Sequence, residues 1–188
     1  SERIQWILDN NIYGFSMEET NIDGFILLLK KLILGNKDIN LTKLKEHIQH
    51  INNIEELSEK LNNMKKSGLI FDVIIGNPPF QGESFTENKG ASQASTALWP
   101  KFVKLSFQNS NNYVCLITPR TVIKTPSFSQ NLKSLSILNL NSEKIAPYFQ
   151  DIGSSFCYFL FSLKDPPKEK TIIFSDGNEE KVEDLSFL

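Results

Sequence analysis

The chain has 188 residues, 40% of them hydrophobic and 22% charged, which is enough to bury one sizeable core and typical of an ordinary globular domain. Twenty Lys and Arg against 22 Asp and Glu give a formal charge of -2, which excludes a strongly basic nucleic-acid module and predicts weak or no binding of DNA by this chain alone. No uninterrupted apolar stretch approaches the roughly twenty residues of a membrane span, and the opening SERIQWILDNN lacks the charge-then-apolar order of a signal peptide, so a cytoplasmic protein with no membrane contact is expected.

Residues 11–15 read as a short buried strand, and Ser16 to Asn21 as a polar turn after it. Phe25, Ile26, Leu28, Leu29, Leu32 and Ile33 then recur at three-to-four spacing, predicting a helix that ends near Gly35. Residues 36–66 turn polar, but one stripe of Leu41, Leu44, Ile48 and Ile51 and another of Ile54, Leu57, Leu61 and Met64 predict two amphipathic helices inserted there. Asn53, three residues before Glu56, has the form of a capping box for the second. His47 and His50 fall on the first as surface residues, without a Cys or acidic partner at metal-site spacing.

Leu69 to Gly76 is too short for a helix and rich in β-branched residues, which predicts a strand buried on both faces, as in a parallel sheet. Residues 81–96 read as an unusually long loop, and a helix follows from about Ala97 to Gln108 with Leu98, Trp99, Phe102 and Leu105 on its core face. Tyr113 to Thr118 is the next strand, stopped by Pro119, and Ser127 to Leu135 suggest a short helix. Leu138 to Ile145 and Ser155 to Leu163 make a closing antiparallel pair, and Thr171 to Phe174 add an edge strand. Cys115 and Cys157, each inside an apolar run, are read as buried free thiols. Strands alternating with helices give an α/β fold, whose ligands bind at the carboxyl ends of the strands, here the loops after Phe15, Gly76 and Thr118.

The loop after Gly76 carries chemistry. A strand delivers Asn77 to the sheet edge, and Pro78 and Pro79 fix the backbone while removing two N–H donors. The Asn77 side-chain oxygen and the Pro78 carbonyl are then acceptors for an NH2 group, and Phe80 offers a flat face for stacking a base. Two acceptors on one amine localise its lone pair on nitrogen, which suits direct methyl transfer to an exocyclic amine.

This run resembles the catalytic motif of amino-methyltransferases, and its surroundings resemble the Eco57I-type adenine-N6 DNA methylases of restriction-modification systems. The likeness spans residues 3–165: Arg3-Ile4 through Ile12-Tyr13-Gly14, Leu98-Trp99-Pro100-Lys101-Phe102, Leu116-Ile117-Thr118-Pro119, and Gly153-Ser154-Ser155 through Phe161. It implies a Rossmann-like methyltransferase sheet, mostly parallel with a closing antiparallel hairpin. It also implies S-adenosylmethionine as methyl donor, Asn77 and Pro78 on the target amine, Pro79 holding the loop, and Phe80 stacked on a flipped adenine. The family's Gly-rich cofactor loop precedes the segment matching residues 11–15, so an N-terminally truncated catalytic domain over 1–165 is expected, with 166–188 opening a following segment. Ser16 stands where the family has a ribose-binding acid, and Glu18, at its second acidic position, is the candidate cofactor contact, against the alternative of a solvated turn glutamate. On this reading DNA is bound through the full-length protein, and the isolated chain is inactive. The same loop serves methyltransferases of RNA base amines and of protein glutamine, and a non-catalytic scaffold retaining the fold is the alternative of another class.

Overall fold

The computed structural model describes residues 2–32, 39–80, 97–140, 155–164, 171–175 and 178–182, with side chains described up to residue 164. It divides into two compact units, Ser1–Asn62 and Asn63–Leu188.

In the first unit, helix α1 (Glu2–Asn10) leads to strand β1 (Gly14–Ser16), helix α2 (Glu19–Leu32), helix α3 (Thr42–His47) and strand β2 (Ile48–His50). Sequence pattern had assigned no element to residues 2–10. The first strand starts at Gly14 rather than ending near it, and is half-buried. β1 and β2 pair in parallel, Gly14 opposite Ile48 and Ser16 opposite His50, with the Ile51 N–H donating to the Ser16 carbonyl at 2.9 Å. The stripe that read as one amphipathic helix through Ile51 is thus a six-residue helix followed by a strand: Leu44 and Ile48 are both buried, but the pairing with β1 extends the backbone at Ile48. A Cβ built on Gly14 lies 2.9 Å from Ile48 Cδ1, so the pair approaches closely because this position has no side chain. Leu8, Ile26, Leu41, Leu44 and Ile48 form the core of this unit. His47, expected on the surface, is half-buried and stacks on Tyr13 at 4.3 Å and 17°.

Helix α4 (Ile54–Lys66) buries Ile54, Leu57 and Leu61, as its stripe predicts. Asn53 Oδ1 accepts from the Glu56 N–H at 2.8 Å, which is the capping half of the predicted box. The Glu56 carboxylate turns instead to Asn52, accepting from its N–H and its amide, and these bonds hold its pKa below the ordinary value.

The second unit contains strand β3 (Phe71–Gly76), helix α5 (Trp99–Asn109), strand β4 (Ser110–Pro119), a 3-10 turn (Arg120–Lys124), helix α6 (Pro126–Ser129), a second 3-10 turn (Leu132–Ser134) and strands β5 (Leu135–Asn139), β6 (Phe156–Ser162), β7 (Thr171–Ser175) and β8 (Asn178–Val182). Their order in the sheet is β3-β4-β6-β5-β7-β8. β3 with β4 and β5 with β7 are parallel; β4 with β6, β5 with β6 and β7 with β8 are antiparallel. The sheet is therefore mixed, not mostly parallel, although the closing pair β5–β6 is antiparallel as expected. The helix expected over 127–135 breaks into α6 and a 3-10 turn, because Leu135 is already the first residue of β5. The part of the predicted strand beyond Leu140 and the predicted loop 81–96 lie outside the described residues.

β6 supplies Phe159 and Phe161 to one face, two residues apart and fully buried, as strand alternation requires. Phe128 of α6 meets both edge-on at 5.4 and 5.1 Å, and Phe107 of α5 meets Phe161 at 4.9 Å. With Trp99, Val103, Val114, Leu116, Val122, Leu135 and Leu138 these rings make the core under α5. β3 departs from expectation. It stands at the edge of the sheet among the described residues, and the face that carries Val73 and Ile75 is left open, 53% and 75% exposed, where an apolar run had predicted burial on both faces.

Candidate active site

β3 and β4 run parallel, with Ile75 opposite Cys115 and Gly76 opposite Leu116. Parallel neighbours need a crossover, and α5 carries the chain from the carboxyl end of β3 back to the amino end of β4. Both strands therefore release their loops at one edge of the sheet. β3 releases Asn77-Pro78-Pro79-Phe80 there, and β4 releases Pro119 and the Arg120–Lys124 turn.

The four loop residues alternate in environment. Asn77 is exposed, Pro78 buried, Pro79 exposed and Phe80 half-buried. Pro78 thus anchors the loop, and Asn77 is offered to solvent with no side-chain hydrogen bond among the described residues. Phe80 packs on Phe156, ring centroids 5.4 Å apart at 35°, and Phe156 is itself 2% exposed and pairs with Pro119 across β6 and β4. An amide, a carbonyl and an aromatic ring are what the loop offers: two acceptors and a flat apolar face, with no nucleophile and no acid or base. No group of His, Cys, Asp and Glu able to hold a metal occurs among the described residues.

The buried Thr118 hydroxyl lies 3.6 Å from Cys157 Sγ, and Cys157 lies 3.9 Å from the Pro119 carbonyl. Burial pushes the Cys157 thiol up to about 11, against smaller downward pulls from Thr118 and Arg120, so it stays a neutral thiol. Cys115, expected to be buried, is half-buried, and burial raises its pKa as well. Both are free thiols, as the sequence had it.

Glu18 belongs to the other unit and lies in the turn after β1, not in the Asn77 loop. There Ser16 Oγ donates to the Glu18 carbonyl at 3.0 Å and accepts from the Glu18 N–H at 3.1 Å. His50, at the end of β2, places Nε2 3.1 Å from the Met17 carbonyl. The hydroxyl of Ser16 is committed to the backbone, and the Glu18 side chain is left exposed. One contributor to the loop's setting, Phe156, is visible in the sequence only as one of several aromatics in its strand, whereas Arg120 is already legible there, with Lys101, Lys104 and Lys124, as a basic residue that could contact phosphate around the site, against the alternative of solvated surface charges.

The family model described as Eco57I restriction-modification methylase matches residues 10–154, a span that includes β1 and the Asn77 loop. No curated protein matches the chain.

Proposed function

This chain belongs to the Eco57I restriction-modification methylase family, and from that premise we propose that it serves transfer of a methyl group from S-adenosylmethionine to the N6 amine of adenine in DNA. The observation that carries the proposal is the loop itself. An exposed Asn77, with no side-chain hydrogen bond among the described residues, stands at the carboxyl end of β3, followed by a buried Pro78 and by a Phe80 ring seated on Phe156.

The chemistry asked of these residues is to turn a delocalised amine into a nucleophile. Asn77 Oδ1 and the Pro78 carbonyl accept the two N–H bonds of the amine, which draws the nitrogen toward tetrahedral geometry and concentrates its lone pair. Phe80 holds the base face against its ring, fixing the line of approach. S-adenosylmethionine, when bound, supplies a methyl group already activated on a positively charged sulfur. Formation of the N–C bond breaks the C–S bond, and the nitrogen then sheds one of its protons to solvent. A base held in a duplex has its amine in pairing, so the adenine must leave the stack to reach Asn77.

The residues present fit one part of the methyl donor. The Glu18 carboxylate, exposed at the end of the parallel pair while Ser16 is tied to the backbone, has the two oxygens needed to accept from a pair of ribose hydroxyls. On this reading Glu18 does the work that an acid at Ser16 would otherwise do.

The test is product analysis with the full-length protein. Adenine-containing duplex DNA, RNA of the same sequence and a glutamine peptide are offered with labelled S-adenosylmethionine, and digested products are identified by mass. N6-methyladenine from DNA alone is the expected result. Label in RNA or peptide with none in DNA would overturn the DNA assignment and leave the amine chemistry, and no label in any would overturn both.

A further inference from the structure

We infer that the turn Arg120–Lys124 is a docking surface for the phosphate backbone of the DNA whose base enters the Asn77 loop, an inference that rests on the amine-methylating reading above. The overall charge of -2 conceals a sorted distribution. From residue 97 to residue 140 the chain carries Lys101, Lys104, Arg120, Lys124 and Lys133 and not one Asp or Glu. A phosphodiester approaching this stretch meets a positive field that the whole-chain sum does not reveal.

Topology then sorts these cations by edge. β3 and β4 are parallel, so Asn77 and Arg120 emerge at the same edge, and α5 starts from that edge with Lys101 in its first turn. β5 is antiparallel to β6, as β4 is, so β5 and β4 run the same way and Lys133, just before β5, sits at the opposite edge.

The turn is also rigidly held. The Arg120 N–H donates to the Ser155 carbonyl at 3.0 Å, the Thr125 N–H to the Val122 carbonyl at 2.9 Å, and Val122 between the two cations is fully buried. Arg120, Thr121 and Lys124 remain exposed, and among the described residues neither Arg120 nor Lys124 has an ion-pair partner.

Contiguity with the stacking ring identifies the occupant. Pro119, the residue before Arg120, pairs with Phe156, and Phe156 packs on Phe80. A base on Phe80 brings its own phosphodiester with it by covalent connection, so cations one strand away meet phosphate as a consequence of base entry. The Arg120 guanidinium suits two phosphate oxygens at once, and the Lys124 ammonium adds a point charge.

The experiment is fluorescence anisotropy of the full-length protein with a labelled adenine-containing duplex, from about 20 to about 200 mM KCl, where each phosphate contact contributes about 0.9 to the slope of log K against log salt. The Arg120→Gln/Lys124→Gln double variant should lose about 1.8 from that slope, and Lys133→Gln at the far edge should lose nothing. Both substitutions are at exposed positions, and circular dichroism checks that the fold is kept. An unchanged slope in the double variant, an equal loss in Lys133→Gln, or no binding by the parent full-length protein at the lowest salt would each overturn the inference. The two readings fail separately: full-length protein that binds with the Arg120- and Lys124-dependent slope but forms no N6-methyladenine sinks the amine reading alone. Product formation with a slope indifferent to Arg120 and Lys124 sinks the docking surface alone.

Discussion

Replacing Asn77 by Ala separates stability from chemistry more sharply than any other single change in this chain. Asn77 is exposed and its side chain makes no hydrogen bond among the described residues, so its removal opens no cavity and orphans no buried group. Exposed substitutions of this kind stay within about 0.5 kcal/mol, which for a protein of this length is a shift of about 1–2 °C in the unfolding midpoint. The transition state, in contrast, loses an acceptor that matters only as charge reorganises on the amine. Loss of one such preorganised hydrogen-bonding group elsewhere costs about 2.7–4 kcal/mol, a factor of about 10²–10³ in turnover. Asn77→Asp keeps an acceptor oxygen and should recover part of that rate. The assay pairs single-turnover methyl transfer by the full-length protein with thermal unfolding followed by circular dichroism. Turnover of Asn77→Ala within about threefold of the parent would refute the reasoning, and so would a midpoint lowered by much more than the exposed position allows, because then Asn77 would be structural.

Phe80→Ala should weaken binding of an adenine-containing oligonucleotide to the full-length protein by about 1–3 kcal/mol, the usual worth of one stacked base, while Phe80→Tyr, which keeps the ring, should bind as the parent does; equal binding by all three would remove Phe80 from the site. Phe128→Ala removes a fully buried ring that meets two others edge-on, and should cost about 3–5 kcal/mol in denaturant unfolding, with a loss under about 1 kcal/mol counting against the described core. Cys157, pushed up to about 11, is about one part in a thousand thiolate at pH 8, so iodoacetamide should leave it unlabelled until the chain is unfolded, and rapid native labelling would contradict its burial. The sign of its linkage follows: the folded chain keeps the proton that the unfolded thiol loses near its ordinary 9.0. Its contribution is therefore complete below pH 9 and declines as pH rises toward about 11, a trend that Cys157→Ala should lack.

The Asn77 loop was legible because its signals are local: an apolar β-branched run, an abrupt pair of prolines, and one amide between them. The strand β2 was not. Leu44, Ile48 and Ile51 fall at spacings of four and three, which is the helical pattern, and three residues are too few for strand alternation to compete with it. Only the partner β1, more than thirty residues away, makes Ile48–His50 extended. β3 shows the opposite limit. Its apolar run states correctly that it is a strand, but composition does not report position in a sheet, and at the edge Val73 and Ile75 stay exposed. Leu135 closes the stretch from Ser127 that reads as a short helix, whereas its register against Phe161 places it in β5. The charge reading was limited in the same way: a sum over 188 residues cannot show that the acids avoid residues 97–140.

The contact between Phe80 and Phe156 has a consequence for the entropy of substrate capture. A phenylalanine at a loop end ordinarily samples several rotamers, and fixing such a side chain on binding costs about 0.5–1.5 kcal/mol. Here the ring already rests on a side chain that is 2% exposed and locked into the β4–β6 ladder, while part of its own surface remains open. The platform is set before any base arrives. On the proposed reading, the ordering cost of capture then falls on the nucleotide that must swing out of its stack, and substrates whose bases leave the stack most readily are the ones this loop should take fastest.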